Sequence, residues 1–351
     1  MPLSRSRLCS LLLLSFFFSS NAFASESADT YGELILYIMP SNPVKMDWNS
    51  PRDLLLSTVS AALFNGELTL GHVSVEVSCG LSDRENLPIK KDPSSYVLSS
   101  AVPAAGDPSV DLLLKKKIGF SLQESGWKGA VETPEQVKNS FKIVKSDPKK
   151  VSSMKFLISD ASCRRLTTFF REYSAMAPNL YYGNSPRPRR KEGSGCSAFG
   201  VAFLQLAGLM NEEFRKDWSV TVRVPLTLMA GYAGKKKVSV WDVITSPDSR
   251  EWAREWEPHM NIETYEPALM HKWIVNLVNS PQALRALGGE LDTKLSHGLR
   301  GISAIRFDRR SVPTPSEPIF TGPPALKKTS AVTVIRADKV YSGNGSFELR
   351  P

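Results

Sequence analysis

The chain has 351 residues, 42% of them hydrophobic, with 44 Lys and Arg against 35 Asp and Glu for a formal net charge of +9. That length suits one large domain with additions or two domains, and the apolar content permits a packed core. The positive charge is dispersed in short clusters at residues 115–117, 187–191 and 235–237 without interleaved aromatics, which argues against nucleic acid and for solvated loops or anionic envelope polymers and lipid headgroups as neighbours.

Residues 1–24 read as a cleavable signal peptide: Arg5 and Arg7 are followed by an apolar run at 8–18, and Ala22 and Ala24 offer the small residues that a signal peptidase reads. An apolar core of about a dozen residues falls short of the ~20 a spanning helix needs. Cys9 opens the run rather than following it, so it is badly placed for lipidation. Cleavage near Ala24 removes Arg5 and Arg7 and lowers the charge from +9 to +7. No later stretch is apolar for long enough to cross a bilayer; residues 201–210 end in charge at Glu212 and Glu213. A secreted or periplasmic protein without a transmembrane anchor is expected.

In chain order, residues 33–39 read as a buried strand, followed by a turn and a helix over 50–63, with Ser50 as cap and Pro51 in the first turn. Residues 71–77 alternate, with Val73, Val75 and Val77 on one face and His72, Ser74 and Glu76 on the other. Weaker strand signals lie at 96–100, 117–122 and 141–145. Ser159 and Asp160 cap a helix carrying Cys163, Leu166, Phe169, Phe170 and Tyr173 at spacings of three and four. A loop over 177–195 leads to a second helix opening at Cys196 or Ser197, with Phe199, Ala202, Phe203, Leu206 and Met210 on one face. Residues 216–310 are mixed, with strands at 219–224 and 238–243 and helices at 249–256, 267–278 and 281–287. From Ser311 the chain is Pro-rich and is expected to end in a poorly ordered tail. No internal repeat is present.

Two segments can carry chemistry. A thiol at a helix N-terminus, as at Cys196, meets unpaired N–H groups and the positive end of the helix dipole, both of which favour thiolate. The glycine-rich approach at 193–195 lets backbone approach a substrate carbonyl, so N–H groups at Cys196 and Ser197 can form an oxyanion hole. His72 is the best-framed base, because a strand fixes the orientation of its ring. His259, His271 and His297 sit in less informative surroundings. Trp252, Trp256 and Trp273 at helical spacing read as core rather than as a binding groove. No CxxC, metal-ligand spacing, phosphate-binding glycine loop or GxSxG is found, so neither metal nor cofactor is expected.

Taken together, the Gly71-His72 strand, the helix over 162–173, the aromatic link Leu180-Tyr181-Tyr182 and the helix led by Cys196 resemble the circularly permuted papain-like (NlpC/P60-type) cysteine hydrolase superfamily, over about residues 33–210. The resemblance implies an α+β fold, with an antiparallel sheet packed on helices, and a hydrolase domain over 25–215. Residues 216–310 then form an extension or second lobe, and 311–351 the tail. It implies a Cys196/His72 dyad acting on an amide bond, in cell-wall peptides or another envelope substrate. An acyltransferase or thioesterase on lipids and a non-catalytic binding protein of the same fold are the alternatives. The chain has Gly195 where many permuted relatives have Asn, and a basic loop at 185–192. A third, orienting residue stays open: Glu76 and Ser74 share the face of His72, but Glu76 is ~13 Å along an extended strand, and a polar residue at 96–100 serves equally. Of the three cysteines left after processing, either all are reduced or Cys79 and Cys163 pair, leaving Cys196 free.

Overall fold

The computed structural model describes residues 30–41, 45–64, 71–82, 93–104, 111–123, 127–144, 147–183, 187–322, 331–336 and 339–344. The predicted signal peptide lies outside the described residues. The fold is mixed α+β and built largely on antiparallel pairing. Strand β1 (Thr30–Met39) leads to α1 (Pro51–Phe64), β2 (His72–Ser82), β3 (Tyr96–Ser99), β4 (Ala101–Pro103) and β5 (Trp127–Val131). Helix α2 (Pro134–Val144), β6 (Ser152–Ser159), α3 (Asp160–Met176), β7 (Tyr181–Tyr182) and α4 (Cys196–Leu206) follow. The second part holds α5 (Glu212–Trp218), β8 (Ser219–Pro225), α6 (Val240–Thr245), β9 (His259–Tyr265), α7 (Pro267–Val278) and α8 (Pro281–Ala286). Strands β10 (Gly289–Leu291), β11 (Ser303–Arg309), β12 (Ala331–Arg336) and β13 (Lys339–Asn344) complete it.

The central sheet runs β10-β11-β6-β1-β2-β3. Strand β1 takes the middle because residues 34–39 are apolar on both faces and bury every side chain, as only an interior strand can. It pairs antiparallel with β2 and β6, while β11 adds parallel to β6. One face carries Leu34, Leu36, Val73, Val75 and Phe156 and is covered by α3, α4 and α7. The other carries Ile35, Tyr37 and Leu98 and is covered by α2, through Val137 and Phe141, and by Leu299. A third cluster joins the β8–β9 ribbon to α1 and residues 118–120.

The structure corrects several expectations. Residues 216–310 contribute to the central sheet, since β11 is one of its strands and α7 packs on β1 and β6. The strand expected at 141–145 falls, as far as it is described, in α2, where Val137 and Phe141 are buried four apart on one helical face. That expected at 238–243 is largely α6, opened by a capping box between Ser239 and Asp242 that a helix alone can use. Residues 117–122 give only isolated bridges and a 3₁₀ turn, and the helix expected at 249–256 is turns and irregular chain. Trp252 and Trp273 pack into the cores, but Trp256 is exposed. Nor is the start of the Pro-rich tail loose: Thr314 Oγ meets the hydroxyls of Ser159 and Ser162 at 3.1 and 2.8 Å, and Phe320 packs on Phe169.

Helix α3 is capped by Ser159, whose Oγ accepts the Ser162 N–H. Cys163, in its first turn, forms a disulfide with Cys79 of β2, and Cys196 is left as the free, buried thiol among the described residues. The bridge passes over Gly32 of β1, where a Cβ would lie 2.4 Å from Cys163 Sγ. Only glycine leaves that space. Among the described residues, no helix is long and apolar enough to cross a membrane.

Candidate active site

Three chain segments converge at the first residues of β2. His72 sits opposite Met39 of β1, and Ser100 Oγ donates to the carbonyl of Val73 at 2.6 Å, tying this end of β2 to the β3–β4 junction. The same junction holds Glu132, just past β5: its N–H donates to Ser100 O at 2.8 Å and its carbonyl accepts from Ser99 Oγ at 2.8 Å. Thr133 then opens α2 through reciprocal bonds with Gln136. Glu132 is thereby fixed on both sides, and its Oε2 lies 2.8 Å from His72 Nε2, with both side chains almost fully buried.

The thiol comes from the other face of the sheet. Helix α4 reaches β2 closely because Gly200 has no side chain; a Cβ there would lie 2.8 Å from Val73 Cγ1. Its first residue is Cys196, and Gly195 at the N-cap supplies no side chain to bond the first-turn N–H groups. These groups point outward from the helix, beside the sulfur. The approach is set by Gly193 (φ +127°), where a Cβ would fall on the Tyr181 carbonyl, the acceptor of the Ser194 N–H at 2.9 Å.

Cys196 and His72 lie close enough for each to shift the other's pKa. Burial opposes the Cys196 thiolate, yet the hydrogen bond and charge of His72, the Val73 N–H and the Ser197 hydroxyl outweigh it and lower the thiol pKa. Burial likewise opposes the imidazolium, but bonds to Cys196 and Glu132 raise the His72 pKa above its ordinary value. Both shifts favour a thiolate–imidazolium pair.

Of the residues expected as orienters, neither meets His72. Glu76 accepts from Tyr37 Oη at 2.6 Å and pairs with His297 Nε2 at 3.0 Å, deeper along the same face of β2. Burial raises the pKa of Glu76, but the bonds from His297 and Tyr37 outweigh it, so the group stays acidic. Ser74 Oγ is buried without a hydrogen-bond partner among the described residues. The orienting contact falls to Glu132, which the sequence reading did not single out. The signal was present as Thr133-Pro134-Glu135-Gln136, a capping box with Pro at the first helical position that marks a helix start right after Glu132.

The other histidines are engaged elsewhere. His259 Nδ1 bonds the Glu257 carbonyl at 2.7 Å, and His271 Nδ1 meets Ser152 Oγ at 3.1 Å, with burial lowering the His271 pKa. Among the described residues, no group of three His, Cys, Asp or Glu side chains is placed to hold a metal ion. A cleft of about 1110 Å³ runs beside α4, between Ala198, Val201 and Gln205 on one wall and Arg223 and Asn261 of the β8–β9 ribbon on another. Comparison of the chain with protein-family models, with curated proteins and with solved structures finds no match.

Proposed function

We propose that the protein is an exported thiol hydrolase that cleaves an amide bond, with envelope peptides as the substrate class, and that its core is a permuted papain-like fold. The observation that carries this reading is the series Cys196–His72–Glu132, in which thiol and imidazole shift each other's pKa and the ring meets Glu132 at 2.8 Å, assembled from an α-helix N-terminus, a strand and a loop otherwise distant in sequence. The order of histidine strand before cysteine helix, the packing of that helix against the strand, and the Cys79–Cys163 bridge that leaves one free thiol all support it.

In this reading the Cys196 thiolate attacks the carbonyl carbon, and the oxygen that becomes negative is held by the N–H groups of Cys196 and Ser197. His72, as imidazolium, gives its proton to the leaving amine. The neutral ring then takes a proton from water, whose oxygen attacks the thioester and releases the acid together with Cys196. Glu132 holds the ring in position and stabilises its charged form. Glu76 takes no part.

Incubation with cell-wall stem peptides, followed by mass spectrometry, tests the proposal. The expected products are a free amine and a free carboxylate gained with one water, lost in Cys196→Ala and in His72→Ala. Alkylation of Cys196 no faster than that of a free model thiol at neutral pH, unchanged by His72→Ala, would end the hydrolase reading.

A further inference from the structure

Two lysine clusters separated by more than a hundred residues in the sequence are brought together in the fold. Residues 115–117 and 235–237 meet at their C-terminal ends, where Val238 N–H donates to the Lys117 carbonyl at 2.6 Å and Ile118 bridges Val238 in parallel. All six lysines are exposed. Immediately flanking them are two large apolar side chains turned to solvent: Leu114, 52% exposed, precedes Lys115, and Trp241, 72% exposed, lies in the first turn of α6. A carboxylate facing these lysines is Asp242. It is held below the usual range by hydrogen bonds from the Ser239 side chain and backbone, and by the nearby charges of Lys235 and Lys117.

We infer that this face, formed by Leu114, Lys115, Lys116, Lys117, the 235–237 lysines and Trp241, is a docking surface for an anionic lipid bilayer. Clustered lysines draw the protein to negatively charged headgroups within a Debye length. Charge alone does not account for a tryptophan and a leucine left in water beside them; an indole at headgroup depth does, with its ring in the acyl boundary and its N–H toward water. In the third basic cluster Arg189 is ion-paired to Glu317 and Lys191 lies over the Phe320 ring. The inference stands on the surface alone and is independent of the proposed hydrolase chemistry.

The test is co-sedimentation of the chain from Ser25 onward, a start that precedes every described residue and removes the apolar run at 8–18. One set of vesicles is phosphatidylcholine alone; the other is phosphatidylcholine and phosphatidylglycerol in equal parts. Binding is expected only to the second, weakening as salt is raised. Reversal of four charges, in K116E/K117E/K236E/K237E, is expected to lower the partition coefficient at least about tenfold. Trp241→Ala should lower it several-fold at salt concentrations where charge is screened, and should abolish any blue shift of the tryptophan emission on vesicle addition. Circular dichroism and the Cys196 alkylation rate check that the variants remain folded. Equal binding to both vesicles, or an equal loss in R187E/R190E, overturns the inference. So does binding of inorganic polyphosphate, indifferent to Trp241→Ala, with no vesicle binding, since the face then serves a soluble polyanion.

Discussion

Replacing Glu132 by Gln keeps an acceptor oxygen in reach of His72 Nε2 but removes the charge, and its effect can be worked from the geometry. The contact is 2.8 Å long and almost fully buried, so it is a charge-assisted bond of about 1.5–3 kcal/mol, against about 1 kcal/mol for the neutral bond that replaces it. The difference, about 0.5–2 kcal/mol, corresponds to roughly one unit in the pKa of His72 at 1.36 kcal/mol per unit. A less stable imidazolium stabilises the thiolate less, so the Cys196 pKa rises in turn. The assay is the pH dependence of iodoacetamide alkylation, with Cys196→Ser as the blank. The wild-type inflection is expected below the ~8.5 of a free thiol and should move up in Glu132→Gln by up to about one unit. Glu76→Gln, on the same strand face but bonded to Tyr37 and His297, should leave it in place. An inflection that stays put in Glu132→Gln, or moves in Glu76→Gln instead, refutes the assignment.

Three further outcomes are expected. Gly200→Ala sets a Cβ against Val73 Cγ1 at 2.8 Å. Overpacking costs about 1–3 kcal/mol and the gain in helix propensity returns about 1, so urea unfolding should show a loss of up to about 2 kcal/mol while alkylation of Cys196 slows as α4 moves off β2. Removing the disulfide in C79S/C163S frees an 84-residue separation and should lower stability by about 4–5 kcal/mol on the chain-entropy estimate, read from the denaturation midpoint. Glu266 caps α7 at Ala268 N–H, and burial pushes its pKa up to about 7. A folded pKa above the unfolded one means that the stability is fully present below about pH 4 and is lost as pH rises towards 7. Glu266→Gln should flatten that decline and leave the protein up to about 3 kcal/mol more stable above neutrality; urea midpoints that run parallel to wild type across this range contradict it.

Much of the site was readable because its parts obey strong local rules. The alternation at 71–77 identifies a strand with His72 on its polar face, and the glycine-rich approach puts Cys196 at a helix start, where the structure has it. The helices at 267–278 and 281–287 carry their own stop and start signals. Glu132 was missed because what joins it to His72 is tertiary: backbone bonds at Ser99 and Ser100 carry it across from another strand. The short apolar runs at 141–145 and 238–243 fit either period, and there the capping residues Thr133 and Ser239 decide, more reliably than the apolar residues do. Membership of β11 in the central sheet has no local signature, since nothing in residues 303–309 says that their partner is β6, over a hundred residues upstream. Proline content suggested a loose tail after Ser311, but it describes backbone preference and is silent about Thr314, Ile319 and Phe320, which find partners in the core.

That docked segment also fixes an order of events. Arg189, a few residues ahead of Cys196, is fastened by the carbonyls of Pro318 and Ile319, and in return its own carbonyl accepts the Thr321 N–H at 2.7 Å. Arg165, on α3, reaches the Glu317 carbonyl as well. A chain that emerges amino end first therefore presents Cys196 more than a hundred residues before the fastening exists. The loop leading to Cys196 is locked only once residues 317–321 have been made, so a product truncated before Pro313 keeps the thiol and loses the clasp.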